Sequence, residues 1–333
     1  MTQARSGSRP RVVVLHESTR PDWHWITHHM PEVDWELVHA PTSRGKISDR
    51  IGTLAAAMRA AWAARRGALV VSLGPGVGSA LEIARRLLRV RTPHVTYFLN
   101  FTDLPRGASL ARFSLTYRTI DHLVVSATAE RQIYAEHFGL DPRRIDVVLW
   151  GVNAPECADT LQDGAPYVCA VGGNARDYAL LMKVAAARPH MRFVIVVRPQ
   201  NLAGLDVPPN VEVRSNIPFP EAMAVVKGSR AMALPLATTE TPCGHVTIVA
   251  AQYLGTPIVI TDSKGVDDYI KHGETGLAVE AGSVEAMGAA IDRLWDNPAE
   301  ARRIADAARA FVEAECTELN YVKHLRGLLA QQG

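Results

Sequence analysis

The chain has 333 residues, of which 47% are hydrophobic and 21% charged, so it is predicted to be a globular protein of two domains at about 150 residues each. No apolar run reaches the ~18 residues that a membrane-spanning helix needs. The N-terminal stretch, residues 1–11, is polar and basic rather than an apolar secretion signal, which predicts a cytoplasmic protein.

The small net charge of +2 conceals a difference between the two halves. Residues 1–150 hold 20 Lys and Arg against 13 Asp and Glu, and residues 151–333 hold 16 against 21. A basic first half favours an anionic acceptor or peripheral contact with a membrane surface. Solvated helix faces are the more common reason for such a charge, and no nucleic-acid partner is indicated.

In the first half, short apolar strands alternate with alanine-rich helices. The helix predicted at residues 48–66 carries Ile51, Leu54, Ala55, Met58, Ala61 and Trp62 on one apolar face. Further helices are predicted at residues 79–90 and 128–139. The predicted strands are 11–16, 35–39, 68–73, 94–99, 122–126 and 145–149.

The same alternation begins again after a polar segment, residues 153–166, which we interpret as the domain linker. Strands are predicted at 167–171, 192–197, 211–214, 231–235, 258–261 and 275–279. Helices are predicted at 177–187, 220–228, 247–254, 283–297, 298–316 and 317–331. We therefore expect two doubly wound Rossmann-like α/β domains, residues 1–155 and 156–333, with the last helix free to pack back on the first domain.

Ligands of such sheets bind at the carboxyl ends of the strands, so a cleft between the domains is the expected site. Gly74 and Gly76 follow a strand and match part of a dinucleotide fingerprint. Ser79 occupies the position of the third glycine of that fingerprint, and no acidic residue ends the next strand. The segment therefore predicts a tight turn rather than NAD binding.

A second glycine loop, residues 172–177, lies between a predicted strand and a helix. Gly172 and Gly173 allow the backbone to approach a ligand closely, and the helix start favours an anion. Arg176 adds a permanent charge. These features together suit a diphosphate, although Asp177 could simply cap the helix.

A third loop, residues 241–247, opens a helix directly after a strand. Gly244 again permits close approach, and His245 and Thr247 can donate hydrogen bonds to phosphate or sugar oxygens. A lone histidine is more often structural, but one in a glycine loop at a strand end is a candidate for catalysis.

Neighbouring carboxylates at Asp267 and Asp268 raise the question of a metal. They are expected instead in the first turn of a short helix, where acidic residues are favoured by the helix dipole. None of the four cysteines stands in a CxxC pair, so no metal site is predicted.

The second half resembles glycosyltransferase family 4 and its relatives of the GT-B fold. The resemblance extends from about Tyr167 to Glu300 and depends on the order and spacing of several short segments. These segments are Leu234-Pro235, residues 243–247, 254–259, 268–270 and 273–276, Val279, and residues 289–299. The first half matches only loosely, through residues 122–126 and 150–153.

The resemblance implies a retaining transfer from a nucleotide-sugar donor to a hydroxyl acceptor, with no required cofactor or catalytic metal. Basic residues would neutralise the departing diphosphate, and Arg176 and Arg198 are the candidates. Catalytic roles are expected for Asp103, Arg176 and His245. Donor binding is expected from Gly172, Gly173, Asp177, Arg198, Glu240, Thr241, Gly244, Val246 and Thr247.

The chain departs from this family in two places. Many relatives carry two glutamates eight residues apart, the second of which binds the ribose, but Pro242 and Ala250 occupy these positions here. Glu240 or Thr241 is the candidate replacement. Relatives often have a histidine after the strand at residues 94–99, where Asp103 is the nearest candidate.

Two alternatives remain open from the sequence. A nucleotide-sugar epimerase would need several carboxylates and histidines for proton transfer, which the pattern does not provide. A non-catalytic relative, acting as a binding or partner subunit, is compatible with the missing glutamates.

Overall fold

The computed structural model describes residues 9–17, 24–41, 47–159 and 164–332, and these form two compact units. The first unit comprises Met1–Val148 with Glu318–Gly333, and the second comprises Leu149–Thr317. The division falls after Val148, whereas the sequence places the boundary after residue 155. Residues 1–8 of the predicted N-terminal lead-in lie outside the described residues.

The first unit is built on a parallel six-stranded sheet. Its strands are β1 (Arg11–His16), β2 (Asp34–His39), β3 (Leu69–Leu73), β4 (His94–Tyr97), β5 (His122–Val125) and β6 (Ile145–Val147). They lie in the order β2-β1-β3-β4-β5-β6. Strands β1 and β3 are mainly apolar and buried because both faces of the sheet are covered there.

The described residues of the first unit form six α-helices. They are α1 (His24–Thr27), α2 (Ile47–Ala63), α3 (Pro75–Leu87), α4 (Gly107–Tyr117), α5 (Thr128–Phe138) and α11 (Leu319–Ala330). The sequence pattern did not predict α4, because only Phe113, Thr116 and Tyr117 of this helix are buried and its apolar periodicity is correspondingly weak.

The orientation of α2 differs from the simplest interpretation of its sequence. Its buried side consists of alanines that pack towards β1 and β2, whereas Ile51, Leu54 and Trp62 on the predicted apolar face are 65%, 43% and 61% exposed. Alanines let the helix approach the sheet more closely than bulky side chains would, so the large apolar residues face outward.

Helix α11 joins the first unit although it ends the chain. Tyr321, Val322, Leu325 and Leu328 enter the same apolar cluster as the strand residues of β1 and β4. His324 adds polar contacts, with Nδ1 2.8 Å from the hydroxyl of Tyr97. The helix therefore completes one face of the first sheet.

The second unit repeats the architecture. Its strands are β7 (Tyr167–Val171), β8 (Arg192–Val196), β9 (Val211–Arg214), β10 (Ala231–Leu234), β11 (Ile258–Thr261) and β12 (Leu277–Val279), in the parallel order β12-β11-β10-β7-β8-β9. Its helices are α6 (Tyr178–Ala186), α7 (Phe219–Lys227), α8 (His245–Tyr253), α9 (Val284–Asp296) and α10 (Pro298–Glu315). Two apolar clusters cover the two faces of this sheet.

The helix expected at Asp267 and Asp268 is absent, because these residues lie in consecutive turns between β11 and β12. Three or more His, Cys, Asp or Glu side chains do not cluster as metal ligands anywhere in the described part of the chain. Within the same ranges, every helix is too short or too polar to cross a bilayer.

Candidate functional site

Two loops that lie far apart in the sequence meet around the side chain of Arg176. The loop after β7 contains Arg176, and the loop after β10 leads into α8. Since β7 and β10 are neighbours in the parallel sheet, their carboxyl ends lie side by side. Arg176 Nη2 donates a hydrogen bond to Thr247 Oγ1 at 3.1 Å, and Nη1 donates to the carbonyl of Asn174 at 2.8 Å.

Two glycines, Gly172 and Gly244, leave space for the Arg176 guanidinium because they have no side chain. A Cβ built on Gly172 would lie 3.2 Å from Arg176 Nη2, and one built on Gly244 would lie 3.9 Å from Nη1 and 3.1 Å from Leu234 Cδ2. Both residues also have positive φ, +113° and +93°, a region that side chains disfavour. A larger residue at either place would strain the loop and crowd the guanidinium.

The charge of Arg176 lacks a carboxylate partner among the described residues. Burial lowers the pKa of Arg176, but a guanidinium stays protonated in proteins. Its Nε is buried without a hydrogen-bond partner. A half-buried positive charge without a counter-ion is unfavourable, so this position is suited to receive an anion.

His245 is the first residue of α8 and lies against two aromatic rings. Its ring stacks on Tyr269 at 6.0 Å between centroids and 21° between planes, and Trp150 lies at 5.8 Å. Burial, together with the nearby charge of Arg176, lowers the pKa of His245 to about 4. The imidazole is therefore neutral at pH 7, and its buried Nδ1 has no protein partner. It can offer one hydrogen bond to a ligand but no charge.

A cavity of about 370 Å³ adjoins the first of these loops. The ends of β7 and β8 and the backbone of Gly172 and Gly173 form one side. Ile217, Phe219 and Asn216 from the segment after β9 form another. Phe219 is 59% exposed, which is unusual for a large apolar residue and leaves its ring available to a flat ligand.

The sequence interpretation missed Asn216, Ile217 and Phe219. Their signal was available, because they follow directly on a predicted strand and therefore lie at the carboxyl edge of the sheet. Their contribution to a cavity depends on β9 lying next to β8, which the sequence did not show.

Arg198 also lines this cavity, and it is exposed. Its Cδ would lie 3.6 Å from a Cβ built on Gly173. Asn201 fixes the same loop, since its Nδ2 donates to the Gly173 carbonyl at 2.8 Å. The two arginines therefore lie beside adjacent glycines of one loop. Arg176 lies beside Gly172, and Arg198 lies beside Gly173.

The remaining predicted donor-binding residues have different environments. Asp177 Oδ1 accepts a hydrogen bond from the Leu180 amide at 2.8 Å, so this side chain caps α6. Val246 and Glu240 are exposed, whereas Thr241 is buried at 2% exposure. Ala250, at one of the missing glutamate positions, is packed in an apolar cluster.

Asp103 belongs to the first unit, where it is exposed in the loop between β4 and α4. Buried Glu130 supports the start of this loop. Its Oε1 accepts from Asn100 Nδ2 at 3.0 Å and from the Tyr134 hydroxyl at 2.9 Å, and that hydroxyl accepts from the Phe101 amide at 3.1 Å. The loop is thus anchored before Asp103.

Three side chains of the first unit, Ser72, His94 and Glu82, are hydrogen-bonded in the order of a nucleophilic triad. Ser72 Oγ lies 2.8 Å from His94 Nε2, and His94 Nδ1 lies 3.0 Å from Glu82 Oε2. All three side chains are buried, at 2% exposure or less. Because a substrate cannot reach Ser72 there, these three side chains form a hydrogen-bond network of the core and not a catalytic site.

Comparisons with known proteins bear on the second unit above all. Residues 198–311 match the family model described as glycosyl transferases group 1. D-inositol 3-phosphate glycosyltransferases of Rhodococcus erythropolis and Rhodococcus opacus are 28% and 24% identical to this chain, over 56% and 58% of it. The chain spans about half the length of these curated relatives. The matches support an enzyme that transfers a sugar.

Solved structures extend the comparison to the whole fold. HepE of Anabaena in complex with UDP superposes with a TM-score of 0.72 at 13% identity, covering 96% of this chain and all of HepE. Sucrose-phosphate synthase of Thermosynechococcus elongatus gives 0.73 at 17% identity, covering 97% of this chain and all of that one. The predicted fold and the resemblance to GT-B glycosyltransferases are confirmed.

Proposed function

We propose that this GT-B chain is a retaining glycosyltransferase that transfers a sugar from a nucleoside-diphosphate donor to a hydroxyl acceptor. The observation that carries the proposal is the half-buried guanidinium of Arg176, which has no carboxylate partner among the described residues and lies between Gly172, Gly244 and Thr247. A diphosphate is the group whose charge and oxygen acceptors match this arrangement.

The donor's diphosphate would lie against Arg176 and the first turn of α8. The first backbone N–H groups of a helix have no intrahelical acceptor, and they carry a partial positive charge. Gly244 is the N-cap residue of this helix and adds no side chain between the backbone and the ligand. Arg198, beside Gly173, would supply a second charge.

The donor's base would occupy the cavity beside Gly172 and Gly173. A volume of about 370 Å³ with Ile217 and Phe219 as walls suits a planar heterocycle. The HepE structures contain UDP and UDP-glucose, which makes uridine the first base to test. The ribose would be held by Glu240 or Thr241, because the buried Ala250 offers no polar group.

Catalysis would consist mainly of stabilising the leaving group. As the bond between the sugar's anomeric carbon and the phosphate oxygen breaks, negative charge develops on the diphosphate, where Arg176 and Arg198 would neutralise it. The acceptor hydroxyl attacks on the face that the nucleotide leaves and gives its proton to the departing phosphate oxygen, so the configuration is retained. His245 would hold the sugar or a phosphate oxygen as a neutral hydrogen-bonding group, and no metal or cofactor is required.

The acceptor side of the proposal depends on the first unit. Asp103 is the candidate for contacting the acceptor or the sugar. The protein would act in the cytoplasm, where nucleotide-sugars are available, and its acceptor would carry a free hydroxyl.

A thermal-shift screen over uridine, thymidine and guanosine diphosphates tests the donor site directly. A ligand that binds only the folded state raises the melting temperature by mass action. Arg176→Ala should weaken binding of the preferred diphosphate by about 10–100-fold, since hydrogen bonds to a charged group contribute about 1.5–3 kcal/mol. Arg302→Ala on α10 removes an exposed arginine elsewhere in the same unit and should leave binding unchanged.

Product analysis then separates transfer from its alternatives. Mass spectrometry with a nucleotide-sugar and a panel of hydroxyl acceptors should show a glycosylated product. Conversion of the donor alone to an epimer would contradict the proposal. If the diphosphates do not bind, or bind equally well after Arg176→Ala, the proposed phosphate site is wrong.

A further inference from the structure

An apolar stripe runs along the outer side of α2, away from the first sheet. Ile51, Leu54, Met58 and Trp62 follow one another at intervals of three or four residues, which places them on one side of a helix. Three of them are among the most exposed large apolar residues of the unit. The alanines on the opposite side already bury this helix against the sheet, and Met58 is half-buried against the same cluster. Ile51, Leu54 and Trp62 are exposed and have no role in the core.

Arginines border this stripe on both sides. At 100° per residue, Arg50 falls on one flank of the stripe and Arg59 falls on the other. Arg65 and Arg66 follow in the 3-10 turn Ala64–Arg66 at the end of the helix. Arg65 places its guanidinium carbon 3.8 Å from the centre of the Trp62 ring. These four side chains are exposed, so the charge is directed to the surface.

The basic surface continues onto the end of α3. Arg65 Nη2 donates to the carbonyl of Leu88 at 3.3 Å, which joins the two helix ends. Leu87 is 68% exposed there, and it is accompanied by Arg86, Arg89 and Arg91, all exposed.

Acidic residues are nearly absent from this part of the chain. Residues 50–92 contain eight arginines and a single acid, Glu82. Glu82 is buried and bonded to Arg85, the one buried arginine of the eight, at 2.5 Å. The exposed arginines are therefore not neutralised by carboxylates of their own segment.

We infer that the outer face of α2, with the adjoining end of α3, is a docking surface for an anionic membrane. A helix with an apolar stripe bordered by arginines lies in the plane of a bilayer, with its apolar side chains between the acyl chains and its cations at the lipid phosphates. Tryptophan favours the same interface. The inference goes beyond the proposed sugar transfer and does not depend on it.

Charge decides between this occupant and a second copy of the chain. A symmetric dimer would bring the same patch against itself, so arginines would face arginines. Protein interfaces also have few charged residues at their cores. An anionic lipid surface instead supplies phosphates to all of the exposed arginines at once.

Flotation of the full chain with phospholipid vesicles tests the inference. Vesicles of phosphatidylcholine with about 30% phosphatidylglycerol should bind the protein, with attraction that grows as anionic lipid is added. Pure phosphatidylcholine should bind at least tenfold less, and binding to the anionic vesicles should weaken with added salt because surface charges are screened.

Two variants separate the apolar and charged contributions. Ile51→Ser with Leu54→Ser and Trp62→Ser should reduce vesicle binding at least tenfold, and so should Arg59→Gln with Arg65→Gln and Arg66→Gln. Leu115→Ser on α4, which replaces another residue that is 62% exposed, should leave binding intact. Equal melting temperatures would show that all three variants are folded.

Three results would overturn the inference. The first is failure of the wild-type protein to bind anionic vesicles at low salt, and the second is retained binding in the two α2 variants. The third is a dimer, or a complex with an acidic protein, that depends on Trp62 and forms in preference to vesicle binding, since it would assign this surface to a protein partner.

Discussion

The burial of His245 at the start of α8 predicts how the unfolding free energy of the protein depends on pH. An ordinary histidine has a pKa of 6.5, and burial beside Arg176 lowers that of His245 to about 4. The unfolded chain therefore takes up a proton at a pH where the folded protein does not. At ~1.4 kcal/mol per pKa unit, the difference between the two pKa values corresponds to about 3 kcal/mol. The unfolding free energy should decrease by that amount when the pH falls below both pKa values.

The loss should occur within a defined pH window. Above pH 6.5 both states are neutral at His245, and the full stability is present. As the pH falls from about 6.5 to about 4, the unfolded state gains protons and stability decreases. His245→Phe keeps a ring between Trp150 and Tyr269 but cannot be protonated, so most of this pH dependence should disappear.

Urea unfolding at pH 7.5 and pH 4.5 measures the effect. The quantity to compare is the change in unfolding free energy between the two pH values, wild type against variant, because other titrating groups cancel in that difference. The His245 ring resonance should meanwhile show no titration near pH 6.5 in the folded protein. A histidine that titrates there, or a variant with unchanged pH dependence, would refute the buried neutral imidazole.

Three further predictions concern packing and charge elsewhere in the chain. Gly151→Ala should destabilise the protein by about 3 kcal/mol or more in urea unfolding, since its Cβ would lie 2.2 Å from the Thr317 carbonyl oxygen. Gly327→Ala, in the middle of α11 with open space around it, should instead stabilise by about 0.5–1 kcal/mol, and a loss there would contradict the helix packing. Burial raises the pKa of Glu130 to about 6, so this group should add about 2 kcal/mol of stability as the pH falls from about 6 to 4.5. Glu130→Gln should abolish that gain, and unfolding at the two pH values would measure it.

The candidate site was only partly accessible from the sequence. Glycines at strand ends and a helix start singled out Gly172, Arg176 and Gly244, because these signals are local in the chain. The meeting of Arg176 with Thr247 depends on β7 lying next to β10, and strand order is a long-range property. Their roles in binding remain predictions.

Other features of the site could not be predicted from local pattern. The depression of the His245 pKa requires burial under Trp150 and Tyr269. The pattern alone made this histidine a candidate for catalysis but did not show that it is buried. The exposed ring of Phe219 became relevant only once β9 had placed it beside the Gly172 loop.

The sequence by itself determined the alternation of strands and helices, the two parallel sheets and the glycine loops at strand ends. These follow from hydrophobic period and backbone freedom, both of which act over a few residues. Only the tertiary structure decided that α11 joins the first sheet and that α2 buries its alanines and exposes Ile51 and Trp62. The reason is that an apolar pattern predicts a face but not its partner, and the choice of partner depends on how closely residues distant in the chain can pack.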